Sequence, residues 1–398
     1  MLVLVENVAL GIDIRVRKQV RDLLEAGHRV TVVTRSDPEN AAFRELPGLT
    51  VLEYPSPREP AGPAGYLREY GVSFVHAAVL ALRTRRRGPV DVLQICQPPD
   101  IYFPLAHLLR RLGARVLLDQ RDLMPELFAA RYGGSRPAVA AVLHWFERRS
   151  VRAADRVLGV NEYLRDRLAA AGTDRGRVGV VYNGPVLARV QGRRPDPRLR
   201  GDRAHLCCWI GKMGRQDRVD LLLDVVAHVV HRLGRTDCRF AVLGDGECLD
   251  DLRARARELG VAEWVDLPGW RPEDEVFTYL ATADVGVDTS LQAEVSPVKV
   301  LEYMAAGLPV VAHDLPETRA VGRDAAVLVR PGAVEEFARE LVGLLDDPAR
   351  REALGRAGRR RMEEELGWER QREVYLAVVD ELVRGVGQTP SAVRSDAT

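Results

Sequence analysis

The chain has 398 residues, too many for one ordinary core and comfortable for two domains. Its 58 basic and 57 acidic residues leave a formal net charge of +1, which gives no general electrostatic case for nucleic acid, while 46% hydrophobic residues support packed globular structure. Five cysteines without a Cys-x-x-Cys spacing read as reduced, buried thiols of a cytoplasmic protein, and no run approaches the roughly 18 uninterrupted apolar residues of a membrane span. The apolar run after Met1 is too short for an export signal.

Both halves alternate short β-branched runs with amphipathic stretches, the pattern of parallel βαβ units. The first half predicts strands near residues 2–5, 29–34, 92–95, 116–119, 156–160 and 178–181. Between Tyr54 and Gly65 the density of proline and glycine predicts a surface loop, a candidate mobile lip, rather than a strand or helix. The apolar stretch from Val72 to Leu82 then ends in Arg83-Thr84-Arg85-Arg86-Arg87. Helix C-termini favour cations in any case, and the same pattern suits weak peripheral contact with an anionic membrane. Residues 189–201, rich in Gly, Pro and Arg, read as a linker, after which strands are expected near 206–210, 239–243, 264–266, 285–288, 310–312 and 326–328. Residues 386–398 are small and polar and read as a disordered tail. The expectation is an α/β chain with a first domain over 1–186, a second over 203–368, and two doubly wound, Rossmann-like sheets facing across a cleft. Ligands of such sheets bind beyond the carboxyl ends of the strands.

The most informative stretch is Glu294-Val-Ser-Pro-Val-Lys-Val-Leu-Glu302. Ser296 and Pro297 read as the N-cap and first residue of a helix that stops at Gly307. Amides at such a helix start favour a phosphate, and Lys299 adds a full cation beside them. Glu294 and Glu302 then flank the anion site as acceptors for sugar hydroxyls. Other chemistries fit poorly. Gly244-Asp245-Gly246 lacks the third glycine of a dinucleotide fingerprint, no Asp-x-Asp occurs, the eight histidines show no ligand spacing, and no Gly-x-Ser-x-Gly is present.

Five pieces fall in one order: Ala26-Gly27-His28-Arg29-Val30, Asn183-Gly184-Pro185, Gly211-Lys212-Met213, Gly244-Asp245-Gly246 and the Glu294–Glu302 stretch. With them the chain resembles the retaining GT-B glycosyltransferases of family 4, glycosyl transferases group 1, over nearly its whole length. The resemblance implies transfer of a sugar from a nucleotide sugar, UDP-linked before GDP-linked, to a saccharide, lipid-linked or natural-product acceptor. It implies no metal and no cofactor, the nucleotide sugar being a substrate. It also implies that a helix over about 369–385 packs back on the first domain.

By the same resemblance Glu302 takes the ribose hydroxyls and Glu294 contacts the transferred sugar. Ser296, Pro297, Val298 and Lys299 face sugar and phosphate, and Gly269-Trp270-Arg271 holds the base. Lys212 stands in place of a phosphate-binding Arg, with Gly211 and Gly244 beside it, and Gly11 occupies the turn after the first strand, where the backbone approaches the donor. Two positions depart from the pattern: Arg121 stands where relatives carry a His that reaches the donor sugar, and Asp217-Arg218 stands in place of Lys-Gly. Lys299 is the expected replacement for that missing cation. Two alternatives remain open at this point: a nucleotide-sugar-binding protein with weak or no transferase activity, and a GT-B sugar-nucleotide epimerase.

Overall fold

The computed structural model describes residues 1–55, 62–126, 128 and 137–385. The chain divides into two compact units, Met1–Val181 with Arg372–Thr398, and Tyr182–Gln371.

The first unit is built on a seven-stranded parallel sheet in the order β3-β2-β1-β4-β5-β6-β7. Its strands are β1 Leu2–Val5, β2 Val30–Arg35, β3 Leu49–Tyr54, β4 Val92–Gln97, β5 Arg115–Gln120, β6 Arg156–Gly159 and β7 Val178–Val180. The central strands β1 and β4 are continuously buried, as expected of a parallel sheet covered on both faces. The sequence pattern misses β3. It is an edge strand whose middle residues are only partly buried, so it lacks the apolar run that marks its neighbours. The stretch from Tyr54 to Gly65 also differs from expectation at both ends: Tyr54 closes β3, and a helix Gly62–Arg87 begins before the stretch is over. The candidate lip at 56–61 and the tail at 386–398 lie outside the described residues.

The second unit carries a six-stranded parallel sheet in the order β10-β9-β8-β11-β12-β13. These strands are β8 His205–Ile210, β9 Cys238–Leu243, β10 Val265–Gly269, β11 Val285–Asp288, β12 Val310–His313 and β13 Ala326–Val329. Residues 189–201 are no free linker. Leu187 and Val190 enter the core with Leu206, Tyr303 and Met362, and a short helix Pro197–Arg200 follows. At Asn183-Gly184-Pro185 a Cβ on Gly184 would come within 2.1 Å of the Leu366 carbonyl oxygen, and the Pro185 carbonyl accepts from Trp368 N–H at 3.1 Å.

The last helix, Trp368–Gly385, gives its later residues to the first unit. There the Tyr375 hydroxyl donates to Gln94 Oε1 at 2.6 Å, and Arg372 pairs with Glu25 at 2.8 Å. All five cysteines are free and four are buried; Cys248 is partly exposed.

In each sheet strand order reverses once, between β1 and β4 in the first unit and between β8 and β11 in the second. Beyond such switch points open α/β sheets form their ligand crevices.

Candidate functional site

At the switch point of the second sheet β8 and β11 pair only through Val285 with Cys207 and Gly286 with Cys208, then diverge. Tyr303 wedges the gap open: its hydroxyl accepts from Ile210 N–H at 3.1 Å and donates to the Val287 carbonyl at 3.2 Å. Gly286 is required here, because a Cβ would lie 2.6 Å from the Tyr303 ring.

Beyond the gap lies a pocket of about 260 Å3. One wall follows β8 and includes Gly211, Lys212 and Asp217; the opposite wall follows β11 with Asp288, Ser290 and Gln292. The helix Val298–Ala306 and the two residues before it close the end, contributing Ser296 to Lys299 and Glu302. Several expected site residues are therefore brought together by one local unit, strand, turn and helix. Glu294, Gly244, Trp270 and Arg271 are not among the residues that line this pocket. Trp270 is 68% exposed, and Arg271 pairs with Glu275 at 3.7 Å. Gly244 has a packing role: with φ +139°, its Cβ would meet the Gly211 carbonyl oxygen at 1.8 Å, so the turns after β8 and β9 press together only because a glycine is there.

The helix start corrects the expected cap. The helix begins at Val298, Pro297 is the N-cap, and Ser296 makes no capping bond. Pro297 takes ψ 67°, outside the helical region, so the first turn forms one residue later than the Ser-Pro pair suggests. The Val298 N–H turns back onto the Ser296 carbonyl at 2.8 Å, which removes one amide from the expected anion cradle. The Ser296 hydroxyl, in contrast, is buried with no hydrogen-bond partner among the described residues and lines the pocket.

Lys299 occupies the centre of this arrangement. Its Nζ lies 3.5 Å from Asp288 Oδ1, 3.8 Å from Asp217 Oδ1 and 4.6 Å from the centre of the Trp209 ring. The side chain is only 13% exposed. Both carboxylates stand beyond a short charge-assisted hydrogen bond of about 2.7–2.9 Å, so the ammonium is held without being saturated. Burial raises the Asp217 carboxyl above its ordinary value, against the pull of Lys299. Asp217 thus sits beside the Lys299 ammonium at the pocket wall. Lys212 lines the pocket and is exposed.

His313, Trp209 and Asp288 were not singled out from the sequence. Gly332 N–H donates to His313 Nε2 at 3.3 Å, so Nδ1 carries the proton and donates to the Ser290 carbonyl at 3.1 Å. Burial lowers the His313 pKa and favours this neutral form, which fixes the Ser290 wall of the pocket. The usable signal was position: Asp288 ends a strand at the switch point.

In the first unit Arg121 follows β5 and is tied into a buried charge network. Its Nη1 pairs with Asp13 and its Nε lies 3.3 Å from Asp119 Oδ2. Asp119 is wholly buried and also receives Arg15 at 2.8 Å and Gln19 at 3.1 Å. Burial works to raise the Asp119 carboxyl, but Arg15 and Arg121 outweigh it and hold the carboxyl at about 2. The Arg121 Nη2 is buried and has no partner among the described residues. Gly11 also has a packing reason: its N–H donates to Asn40 Oδ1 at 2.8 Å, and a Cβ would meet the Glu39 backbone at 2.2 Å. That amide is therefore already engaged within the first unit. Among the described residues no group of His, Cys, Asp or Glu is arranged to hold a metal ion.

Comparison with known proteins turns this geometry into a family assignment. Residues 204–347 match the model of the glycosyl transferases group 1, and residues 11–184 match the glycosyl transferase 4-like domain. The chain belongs to the group 1, family-4-like glycosyltransferases. It is 26% identical to 2-deoxystreptamine glucosyltransferase of Streptomyces kanamyceticus over 89% of this chain and 95% of that protein. It is also 26% identical to alpha-D-kanosaminyltransferase of the same organism, over 58% of this chain and 63% of that one. It is 31% identical to a GDP-mannose-dependent phosphatidylinositol monomannoside mannosyltransferase of Mycolicibacterium smegmatis, over 52% of this chain and 57% of the relative. The chain therefore matches less than two thirds of the length of the kanosaminyltransferase and of the mannosyltransferase. Among solved structures, sucrose-phosphate synthase of Thermosynechococcus elongatus superposes with a TM-score of 0.77 at 17% identity, covering 97% of this chain and all of that one. The HepE protein of Anabaena in complex with UDP follows at 0.73 and 14%, covering 96% and 99%. The fold is GT-B. No described helix is long and apolar enough to cross a membrane.

Proposed function

We propose that this glycosyltransferase retains the anomeric configuration and takes a UDP-linked hexose or related sugar without a bound metal or cofactor, passing it to a hydroxyl-bearing acceptor such as a saccharide, a lipid-linked sugar or a natural product. The observation that carries the reading is the Lys299 ammonium, held at 3.5 and 3.8 Å from two carboxylates in a pocket at the strand switch point of the second unit. An ammonium so placed meets a diphosphate where helix dipole and cation act together. The pocket is smaller than the roughly 300–1,000 Å3 usual for ligand sites, so it accounts for part of a nucleotide sugar rather than all of it.

In this reading Glu302 accepts from the ribose hydroxyls, and Glu294 addresses the transferred sugar. Lys299, Lys212 and the Ser296 hydroxyl stabilise the diphosphate as charge develops on it. The acceptor hydroxyl attacks the anomeric carbon as the bond to the phosphate oxygen breaks. The leaving diphosphate keeps the electron pair and receives the acceptor's proton on the same face, so the configuration is retained. Arg121, with its fork already shared between Asp13 and Asp119, orders the first unit's strand ends and keeps one N–H group for a ligand.

A thermal-shift panel of UDP- and GDP-sugars tests the donor, because a ligand bound only by the native state raises stability with the logarithm of its concentration over Kd. A UDP-sugar should raise Tm most, and proton NMR of the product formed from it should show the donor's anomeric configuration. A larger shift with GDP-mannose overturns the choice of base, and an inverted product overturns the mechanism.

A further inference from the structure

Exposed large hydrophobic side chains are unevenly placed, and those of three neighbouring helices in the first unit form one surface. The helices are Gly62–Arg87, Phe103–Arg111 and Pro137–Ala153. They follow β3, β4 and β5 and lie side by side. Phe74 stacks on Tyr102 at 5.9 Å, and Arg85 donates to the Leu112 carbonyl at 3.1 Å, joining the first helix to the second at both ends. Phe103 meets Trp145 edge-on at 5.7 Å, joining the second to the third.

Each helix turns an apolar stripe outward that runs into arginine. On the first, Val72, Val75 and Val79 are 41%, 59% and 41% exposed, and Arg83 and Arg86 continue the same face at helical spacing. On the third, Val142 and Trp145 are 53% and 42% exposed, followed by Arg149 and Arg152; the Arg149 guanidinium lies 5.1 Å from the centre of the Trp145 ring. Between them Leu108 and Leu112 are exposed beside Arg111. The three helices together carry ten arginines, and their two acidic residues, Glu69 and Glu147, are both buried. In a chain of net charge +1 that is a one-signed face. Helix C-termini favour cations, which accounts for Arg85 to Arg87 but not for Arg148 and Arg149, a turn before the last, nor for exposed valine, leucine and tryptophan.

We infer that this three-helix face docks on an anionic lipid bilayer, its Trp145 and valine stripes entering the headgroup region and its arginines meeting lipid phosphates. The charge complementarity selects the occupant: apolar and amphipathic side chains rimmed by arginines, with no exposed acid on the three helices, match an acidic interface, whereas a second copy of the same face would set like charges against each other. None of these side chains lines the donor pocket of the second unit, so the inference is independent of the proposed donor chemistry.

The test is flotation of the whole protein with vesicles of phosphatidylcholine alone and of equal parts phosphatidylglycerol and phosphatidylcholine. Binding is expected only to the acidic vesicles, falling steeply with added salt. Arg83→Glu/Arg86→Glu/Arg149→Glu should weaken it about 100-fold, since one basic side chain at an acidic surface is worth roughly a factor of five. Val75→Ser/Trp145→Ser should weaken binding at every salt concentration, and donor-induced thermal shifts should stay as in the wild type for both variants, showing that they fold. Absence of flotation, equal flotation with neutral vesicles, or a dimer in solution broken by the same variants would each overturn the proposal.

Discussion

The two strand switch points of this protein are built in opposite ways. In the second unit the carboxyl ends of β8 and β11 open on a pocket in which Lys299 stands off two carboxylates at 3.5 and 3.8 Å and the Ser296 hydroxyl has no partner among the described residues. In the first unit the ends of the strands are filled by charge: Arg15, Asp119, Arg121 and Asp13 close on one another, with Asp119 wholly buried. The same sheet architecture thus gives one edge whose cation is available to a ligand and one whose cations hold the scaffold. Arg121 is accordingly a fixed, permanently charged group. Its Nη1 and Nε are held by carboxylates before any ligand arrives, and only Nη2 has no partner among the described residues.

Removing the centre of the closed network should have the largest effect. Asp119→Ala leaves Arg15 and Arg121 buried without their shared carboxylate, and breaking a buried pair this way costs about 3–5 kcal/mol. Urea unfolding should show that loss, while Arg121→Lys, which keeps the charge, should lose less. Little change in Asp119→Ala would mean that the network is not holding the strand ends.

A smaller effect separates the two carboxylates of the open edge. Glu302→Gln should weaken UDP binding by about 1.5–3 kcal/mol, the range for a hydrogen bond to a charged group. Glu294→Gln should chiefly lower turnover with the intact donor, leaving UDP affinity close to wild type. Isothermal titration with UDP beside steady-state kinetics reads both, and equal losses of UDP affinity would end the division of roles.

The smallest effect is a pH slope confined to the first unit. Burial pushes Glu6 up to about 7, and burial with the nearby Glu147 pushes Asp100 up to about 8. Both folded values lie above the ordinary 4.5 and 3.8, so the folded state holds protons that the unfolded chain releases. The stability they contribute is complete below those ordinary values and is lost as pH rises through about 7 for Glu6 and about 8 for Asp100. Each group contributes a slope of at most about 1.4 kcal/mol per pH unit. Urea midpoints between pH 5 and 8 should fall with pH in the wild type and fall less in Glu6→Gln and Asp100→Asn; identical slopes would show that these carboxyls ionise freely.

The contrast between the edges also decides what the sequence reveals. The expected residues that the fold brings to one pocket wall, Ser296 to Lys299 and Glu302, are local in sequence: with strand β11 they lie within about twenty residues. The strands themselves were legible wherever burial is continuous, and β3 was missed because an edge strand is only half buried. The closed network was not legible, since Arg15 and Asp119 are 104 positions apart and nothing in either neighbourhood announces the other. The Ser296 cap failed for a finer reason, the non-helical ψ of Pro297, which composition does not encode. Asp217 looked like a lost cation in the sequence, with Lys299 as its expected replacement, and the fold sets the Lys299 ammonium 3.8 Å from the Asp217 carboxylate.

Titration of UDP into the wild type, Lys299→Ala and Asp217→Ala at low and high salt tests the account most directly. Lys299→Ala should bind UDP about 10- to 100-fold more weakly at low salt, the loss of one charged partner, with the gap narrowing as salt screens the diphosphate. Asp217→Ala should bind as well as the wild type or slightly better, because it frees the ammonium. Unchanged UDP affinity in Lys299→Ala would contradict the account and return the anion site to Lys212 and the backbone.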